Sequence, residues 1–490
     1  MSILVIDVGT SGLRAAVVRD DATVTALHHR AFAPSTPAPG LVEFDADEMA
    51  RLVLEVAHLA LRDGGPVSGV GITAQRASTV VWSRRTGRAL APAIGWQDLR
   101  TVGDCIVARA EHGLALAPNQ TATKAKWLLT QLADHDRDDI RLGTVDSWIA
   151  WTLSGGTSGS HVTDHTNAAV TGLASFTDGP PHWNERVLDL MGVDPAMLPT
   201  IVESSGVLGT ADALPGAPPI AALVGDQQAS LMGQSCVRPG MAKCTFGTGG
   251  MFDVVTGSTA PAAADRTAHG TFPIVAWSRN GALTWGSEAI MLSAGSAVEW
   301  VVADLGLAPS AEATHDIAAS CPTTDGVFFV PALLGLATPH WDYGARGGLF
   351  GLTRGSTRAH VVRAVLEGVA HRGADLCEAV AADHPDLTID EIRIDGGMSR
   401  NPTFVSALAT ATGRPISVSP VSEATTLGAA YLAGLATGVW ADLDDIAASW
   451  RPAATVEPDP TVDRARWRAD WAEAVTRVEG WIPDLSALDF

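Results

Sequence analysis

Positive charge is scarce in this chain. Its 490 residues hold 33 Lys and Arg against 54 Asp and Glu, a formal net charge of −21. Such a surface repels phosphate backbones, which excludes nucleic acid and anionic membranes as expected partners. Only three of the 33 are Lys, a compositional bias to which no mechanism attaches. Cysteine is sparse too: Cys105, Cys236, Cys244, Cys321 and Cys377 form no C-x-x-C pair, and their number is odd. That pattern predicts reduced thiols in a cytoplasmic protein, not a disulfide framework. Long apolar runs are absent. The longest, LGAAYLAGLATGVW at 427–440, is too short to span a bilayer and is cut by glycines, so it predicts a buried helix. The opening MSILVIDVGTSG has no basic n-region and reaches an Asp after six residues, which predicts no signal peptide.

What is present suits a folded chain of two or more domains. Apolar residues make up 46% and charged ones 18%, enough apolar surface to build cores. The chain opens with a strand, ILVIDVG, a Thr/Ser/Gly turn and a second strand, RAAVVRD. Strand–turn–strand is the wrong context for a dinucleotide fingerprint or a P-loop, whose turn opens a helix. A helix is predicted over 45–63, capped by Asp45 or Asp47, then a buried strand, VSGVGITAQ. Residues 100–153 read as mostly helical, and 204–220, rich in Gly, Pro and Ala, as a connecting loop before the strand AALVG. At 242–255 the opening pattern recurs as AKCTFGTGGMFDVV. Two such hairpins predict an internal duplication with one phosphate-gripping turn per half. EIRIDGG (391–397) and NPTFVSALATATG (401–413) make a further α/β unit, and the tail after 461 begins with a helix. The boundary is placed near 233, giving domains 1–233 and 234–490.

The candidate chemistry sits at the turns. In Asp7-Val8-Gly9-Thr10-Ser11-Gly12, successive N–H groups and hydroxyls can cradle phosphate oxygens. Asp7 can hold Mg2+ through water, and Arg14 begins the return strand. The alternative is an ordinary hairpin turn. Phe246-Gly247-Thr248-Gly249-Gly250 makes a second cradle, and two cradles suit a polyphosphate between two lobes. Asp226, at the end of AALVG, is either an acid placed to take the proton of an attacking hydroxyl or the N-cap of the helix it opens. His161-Val162-Thr163-Asp164-His165 lacks third and fourth ligands at useful spacing, so no zinc site is expected.

A dozen segments in one order, including DVGTSGLRAAVV, GITAQRASTVVW, GDQQASLMGQ, GMAKCTFGTGG, DGGMSRNPTFVSALA and EATTLGAAYLAGL, resemble the FGGY carbohydrate kinases, and most of all their glycerol kinase branch. The resemblance implies an α/β, two-lobed actin-like ATPase fold of duplicated ribonuclease-H-like domains. It implies ATP-dependent phosphorylation of a hydroxyl on a small polyol or sugar, with ATP and Mg2+ as cofactors. The rival on the same fold is a non-catalytic sugar sensor or clamp. By similarity Asp226 is the general base and Asp7 helps hold Mg2+. Thr10, Ser11 and Arg14 meet the γ-phosphate, Thr248 and Gly249 the other phosphates, Gly295 and Glu299 the phosphates or ribose, and Gly397 and Asn401 the adenosine. The acceptor falls to Gln75, Arg76, Trp96, Asn119, Asp226, Gln227 and Met251. A homodimer and a homotetramer are the assemblies left open.

The acceptor pocket departs from the resemblance. Where glycerol kinases read Asn-Gln-Arg-Glu-Thr, this chain has Ala74-Gln75-Arg76-Ala77-Ser78, so the Glu that grips a glycerol hydroxyl is Ala77. A family Tyr is Asn119 and a family Phe is Met251. Fewer hydroxyl partners and more space favour a larger acceptor, a tetritol, pentitol or ketopentose such as xylulose, over glycerol. Another side chain standing in for the lost Glu would keep glycerol. The loop GTADALPGAPPI has no Arg, where some family members carry a fructose 1,6-bisphosphate site.

Overall fold

The computed structural model describes residues 1–156, 159–177 and 179–488. Thirteen strands form one sheet, and its two ends are built alike. In the first half, Ser2–Val8 pairs antiparallel with Gly12–Arg19 and parallel with Gly69–Ala74, which is parallel to Pro219–Gly225. In the second half, Ala242–Phe246 pairs antiparallel with Gly250–Gly257 and parallel with Ile392–Asp395, which is parallel to Ile416–Val418. Each hairpin turn therefore occupies the same topological position, as the recurring sequence pattern predicts. The strands bury nearly every residue, which is why they read as continuous β-branched runs without alternation. This is the α/β, actin-like two-domain architecture expected.

The halves meet at Ser205–Thr210. That segment pairs antiparallel with Pro219–Gly225 and touches Phe272–Arg279 through a single rung, Ser205 to Arg279. It lies within 204–220, expected to be a loop. Its glycines and small residues hide a strand that pairs with the next one, Pro219–Gly225, and within the sheet meets the second half only at Arg279. A second correction falls within 100–153. Helices Val102–His112, Thr121–Gln131 and Val145–Leu153 are present, but Ile140–Thr144 is a strand, paired antiparallel with Thr79–Ser83 in a small four-stranded sheet.

The helix Ala46–Gly64 is capped by Asp45, whose Oδ1 accepts from the N–H of Glu48 at 3.0 Å. The run 427–440 contributes a buried helix, Ala424–Thr437, and the tail a helix at Arg464–Thr476. No helix among the described residues is long and apolar enough to cross a membrane. All five cysteines are unpaired and buried. Ala424–Thr437 packs backbone to backbone on the short helix Asp226–Gly233. A Cβ on Gly428 would lie 1.8 Å from the carbonyl of Ala229, and one on Gly233 equally close to that of Ala424. The close approach seats the helix that begins with Asp226.

Candidate functional site

The first turn closes with Gly9 N–H donating to the Gly12 carbonyl at 2.9 Å. Thr10 and Ser11 stand at its tip, half-buried and exposed. Below it Asp7 and Arg14 are cross-strand partners. Arg14 Nε lies 3.4 Å from Asp7 Oδ2, and its Nη1 bonds Glu423 at the start of the Ala424–Thr437 helix. Thr426 Oγ1 donates to the same Asp7 oxygen at 3.2 Å. Burial pushes the Asp7 carboxyl up to about 6 against the pull of Arg14, and the like charge of Asp226 adds to the rise. A buried carboxylate beneath the Thr10-Ser11 turn has the chemistry of a Mg2+ ligand, because Mg2+ takes one or two carboxylates and fills its shell with water and phosphate. Among the described residues no cluster of three or more His, Cys, Asp or Glu would hold a metal alone. His161 and Asp164 have structural partners instead: the ring bonds the Leu142 carbonyl and Asp164 caps a short helix.

Beside this turn a chain of hydrogen bonds reaches the acceptor residues. Trp96 Nε1 donates to Thr10 Oγ1 at 3.1 Å, and the Trp96 N–H donates to Ser78 Oγ at 3.0 Å. Ser78 Oγ donates to Gln75 Oε1 at 2.9 Å, and Gln75 Nε2 donates back to the Gly9 carbonyl at 3.2 Å. Trp96 itself is 38% exposed, an indole face open to a ligand. Arg76 crosses to the second half, where its Nη2 donates to Glu288 Oε2 at 2.7 Å, while its Nε lies 3.5 Å from Asp226 Oδ1. Its Nη1 is buried with no partner among the described residues, a donor free for a ligand oxygen. Burial works against the Arg76 charge, but Glu288, Asp226 and Asp253 outweigh it and raise its proton affinity.

Asp226 is the first residue of its helix, and the N-cap position belongs to Gly225. Among the described residues its carboxylate accepts a hydrogen bond only from the N–H of Gln227, at 2.9 Å, so the cap alternative is not what the structure holds. Its side chain keeps 29% exposure. Burial raises its proton affinity above that of an ordinary Asp, and Arg76 opposes the rise. Ala77 takes a left-handed backbone, φ 61°, and its carbonyl accepts from Thr121 Oγ1 at 3.2 Å. Asn119 is exposed just before that helix, with its carbonyl on Lys124 Nζ at 3.1 Å. Met251 pairs with Thr245 and so shares a sheet face with Lys243 and Asp253.

The second turn is clasped from the side. Ala294 N–H donates to the Thr248 carbonyl at 2.9 Å and Gly295 N–H to the Gly247 carbonyl at 2.8 Å. A Cβ on Gly295 would sit 2.6 Å from the Gly247 oxygen, so only glycine permits the clasp. Thr248 and Gly397 are exposed. Gly397 follows Gly396, which packs under Phe246 of the turn strand. Asn401 is partly committed: its Oδ1 caps the helix Pro402–Thr412 through Phe404 N–H, and its Nδ2 donates to Thr314 Oγ1 at 2.9 Å. Glu299 is exposed and pairs with none of the described residues.

Sequence reasoning missed Lys243, Asp253, Glu288 and Glu423. Lys243 and Asp253 are fully buried and 2.7 Å apart. Charges inside predicted buried strands, AKCTF and MFDVV, were the available signal, since an unpaired charge there is prohibitive.

Two family models match the chain: the N-terminal domain of the FGGY family of carbohydrate kinases over residues 2–233, and its C-terminal domain over 242–437. The chain is 40% identical over 499 residues to a glycerol kinase of Trichlorobacter lovleyi, covering 98% of this chain and 99% of that one. Among solved structures it resembles a Plasmodium falciparum glycerol kinase with ADP, at TM-score 0.89 and 27% identity, over 97% of this chain and 98% of the other. A ligand-bound xylulose kinase from Lactobacillus acidophilus has the same fold, at TM-score 0.86 and 20% identity, over 100% and 99% of the two chains.

Proposed function

The chain belongs to the FGGY family of carbohydrate kinases, and from that premise we propose how its cleft performs ATP-dependent phosphorylation of a polyol or sugar hydroxyl. The acceptor lies against Trp96, with Arg76, Gln75, Gln227, Asn119 and Met251 around it. ATP lies across the two hairpin turns: Thr10, Ser11 and Arg14 at the γ-phosphate, Thr248, Gly249 and Gly295 at the others, Glu299 towards the ribose, and Gly397 and Asn401 at the adenosine. The ADP in the P. falciparum enzyme's structure supports the nucleotide side. The attacking hydroxyl passes its proton to a carboxylate oxygen of Asp226 as its oxygen bonds the γ-phosphorus. The bond from that phosphorus to the bridging oxygen breaks, and ADP leaves. Asp7 would hold Mg2+, which neutralises charge developing on the phosphate oxygens. Exclusion of water strengthens these contacts.

The observation that carries this reading is Asp226 itself. It is a half-buried carboxylate with raised proton affinity, paired with Arg76 and, among the described residues, accepting a hydrogen bond only from a neighbouring N–H. Such a group takes a proton readily yet stays open to a ligand. For the acceptor we infer a tetritol, pentitol or ketopentose ahead of glycerol, on the small Ala77 and the short Asn119. The division into 1–233 and 234–490, a cytoplasmic location and a homodimer or homotetramer belong to the same reading. Acceptor-dependent ADP release across glycerol, tetritols, pentitols and ketopentoses tests it. If none of them releases ADP, the kinase reading falls and the sensor on the same fold replaces it.

A further inference from the structure

We propose that Lys243 is a positioning residue for the acceptor: it turns the side-chain amide of Gln227 so that only N–H donors face the acceptor. Lys243 and Asp253 are direct cross-strand partners in the second hairpin. Both are fully buried, with Nζ 2.7 Å from Asp253 Oδ2. Nζ also donates to Thr245 Oγ1 at 3.1 Å and, across to the Asp226 helix, to Gln227 Oε1 at 2.9 Å. An ammonium has three hydrogens and no acceptor. Three oxygens surround this one: those of Gln227 and Thr245 accept hydrogen bonds, and that of Asp253 supplies the counter-charge. Because it can only donate, the end of the Gln227 amide facing it must be the oxygen. The NH2 end is turned away, and Gln227 Nε2 donates to no protein group among the described residues.

An ion pair with no exposure is an expensive way to hold one neutral amide, since paired apolar residues of similar volume fill a core at least as well. Asp253 makes Lys243 able to do it. Burial alone would strip the Lys243 proton, but Asp253 and Asp395 hold its affinity above the ordinary range. Among the described residues neither Asp253 oxygen has a hydrogen bond of good geometry, so Asp253 acts through its charge, on Lys243 and on Arg76. Glu288, next across the sheet, completes the same face and reaches Arg76.

Resting on the reading that Asp226 faces the acceptor, this orientation defines what is read there. Asp226 accepts from the attacking hydroxyl, while its neighbour Gln227 donates to the adjacent oxygen. The pair recognises a 1,2-diol or an α-hydroxy ketone. The second oxygen needs only a lone pair, so a carbonyl serves as well as a hydroxyl, and a 2-deoxy analogue does not.

A double-mutant cycle in the full-length enzyme tests this, read by coupled ADP release with the best acceptor of the panel. Lys243→Met leaves Asp253 buried without its counter-ion, so the pair is also replaced together, as Lys243→Met with Asp253→Leu, and melting temperature is followed. The pair replacement is expected to raise the acceptor KM at least tenfold while the ATP KM stays within twofold. In a Gln227→Ala background the same replacement is expected to change the acceptor KM less than twofold, because the pair's hydrogen bond to the acceptor residues runs through Gln227. An unchanged acceptor KM, or a full additional loss in the Gln227→Ala background, would overturn the positioning role while leaving the kinase standing. A wild-type chain with no acceptor-dependent ADP release would overturn the kinase reading and this inference with it.

Discussion

Replacing Asp226 by Asn removes the proton acceptor and little else. The Asn Oδ1 can still accept from the Gln227 N–H, now at 2.9 Å, and Arg76 keeps Glu288 at 2.7 Å, so the local framework survives. A positioned general base is worth roughly 100- to 10,000-fold in rate, or about 3–5 kcal/mol of barrier. Burial has already raised the proton affinity of Asp226, which makes it a stronger base than an exposed Asp and places the expected loss towards the upper end, at about 1,000-fold or more. The assay is kcat by coupled ADP release at saturating acceptor, alongside ADP affinity by calorimetry. The variant should bind ADP within about twofold of the parent while kcat collapses, the pattern of an interaction needed only in the transition state. A kcat within tenfold of the parent would refute Asp226 as the base.

Other outcomes can be checked on the same protein. Gly295→Ala forces a Cβ to within 2.6 Å of the Gly247 oxygen; it should raise the ATP KM several-fold and leave the acceptor KM within about twofold, with overpacking costing about 1–3 kcal/mol by chemical denaturation. Asp7 holds its proton up to about 6, above the ordinary 3.8. A carboxyl with a raised folded value stabilises the fold below its unfolded value and loses that contribution as pH rises through the folded one. The ligand-free unfolding free energy should therefore fall between about pH 4 and about 6, and Asp7→Asn should remove about 3 kcal/mol of that fall, read by chemical denaturation. Glycerol should not have the highest kcat/KM among the panel; if it does, the emphasis on Ala77 and Asn119 is misplaced.

The hairpins were legible because each is a β-branched run interrupted by a Gly-Thr turn, and a local signal suffices for a local structure. The helix cap at Asp45 and the buried helix Ala424–Thr437 were legible for the same reason. Ser205–Thr210 was not, because its place in the sheet depends on Pro219–Gly225 and on Arg279 rather than on its own small residues. Ile140–Thr144 was lost between two helices, where its partner Thr79–Ser83 lies some sixty residues earlier. The candidate site divides along the same line. Residues on the turns could be named from motifs. Glu288 and Glu423 could not, since Arg76–Glu288 and Arg14–Glu423 join positions 212 and 409 residues apart. Only the register of distant strands brings them together.

The single rung between Ser205 and Arg279 gives the sheet a spine one residue pair wide. Around it Ser204 and Ser278 exchange reciprocal bonds, the Ser204 N–H donating to Ser278 Oγ at 2.9 Å and the Ser278 N–H donating to Ser204 Oγ at 3.1 Å. Off the sheet the leaves are joined more broadly, by a buried cluster that holds Val5 and Val224 against Trp277 and Leu427. Arg76–Glu288 and Lys243–Gln227 both cross between the leaves away from that spine. These two contacts fix the cleft residues Arg76 and Gln227 of one leaf against the sheet of the other, at a distance from the rung that joins the strands.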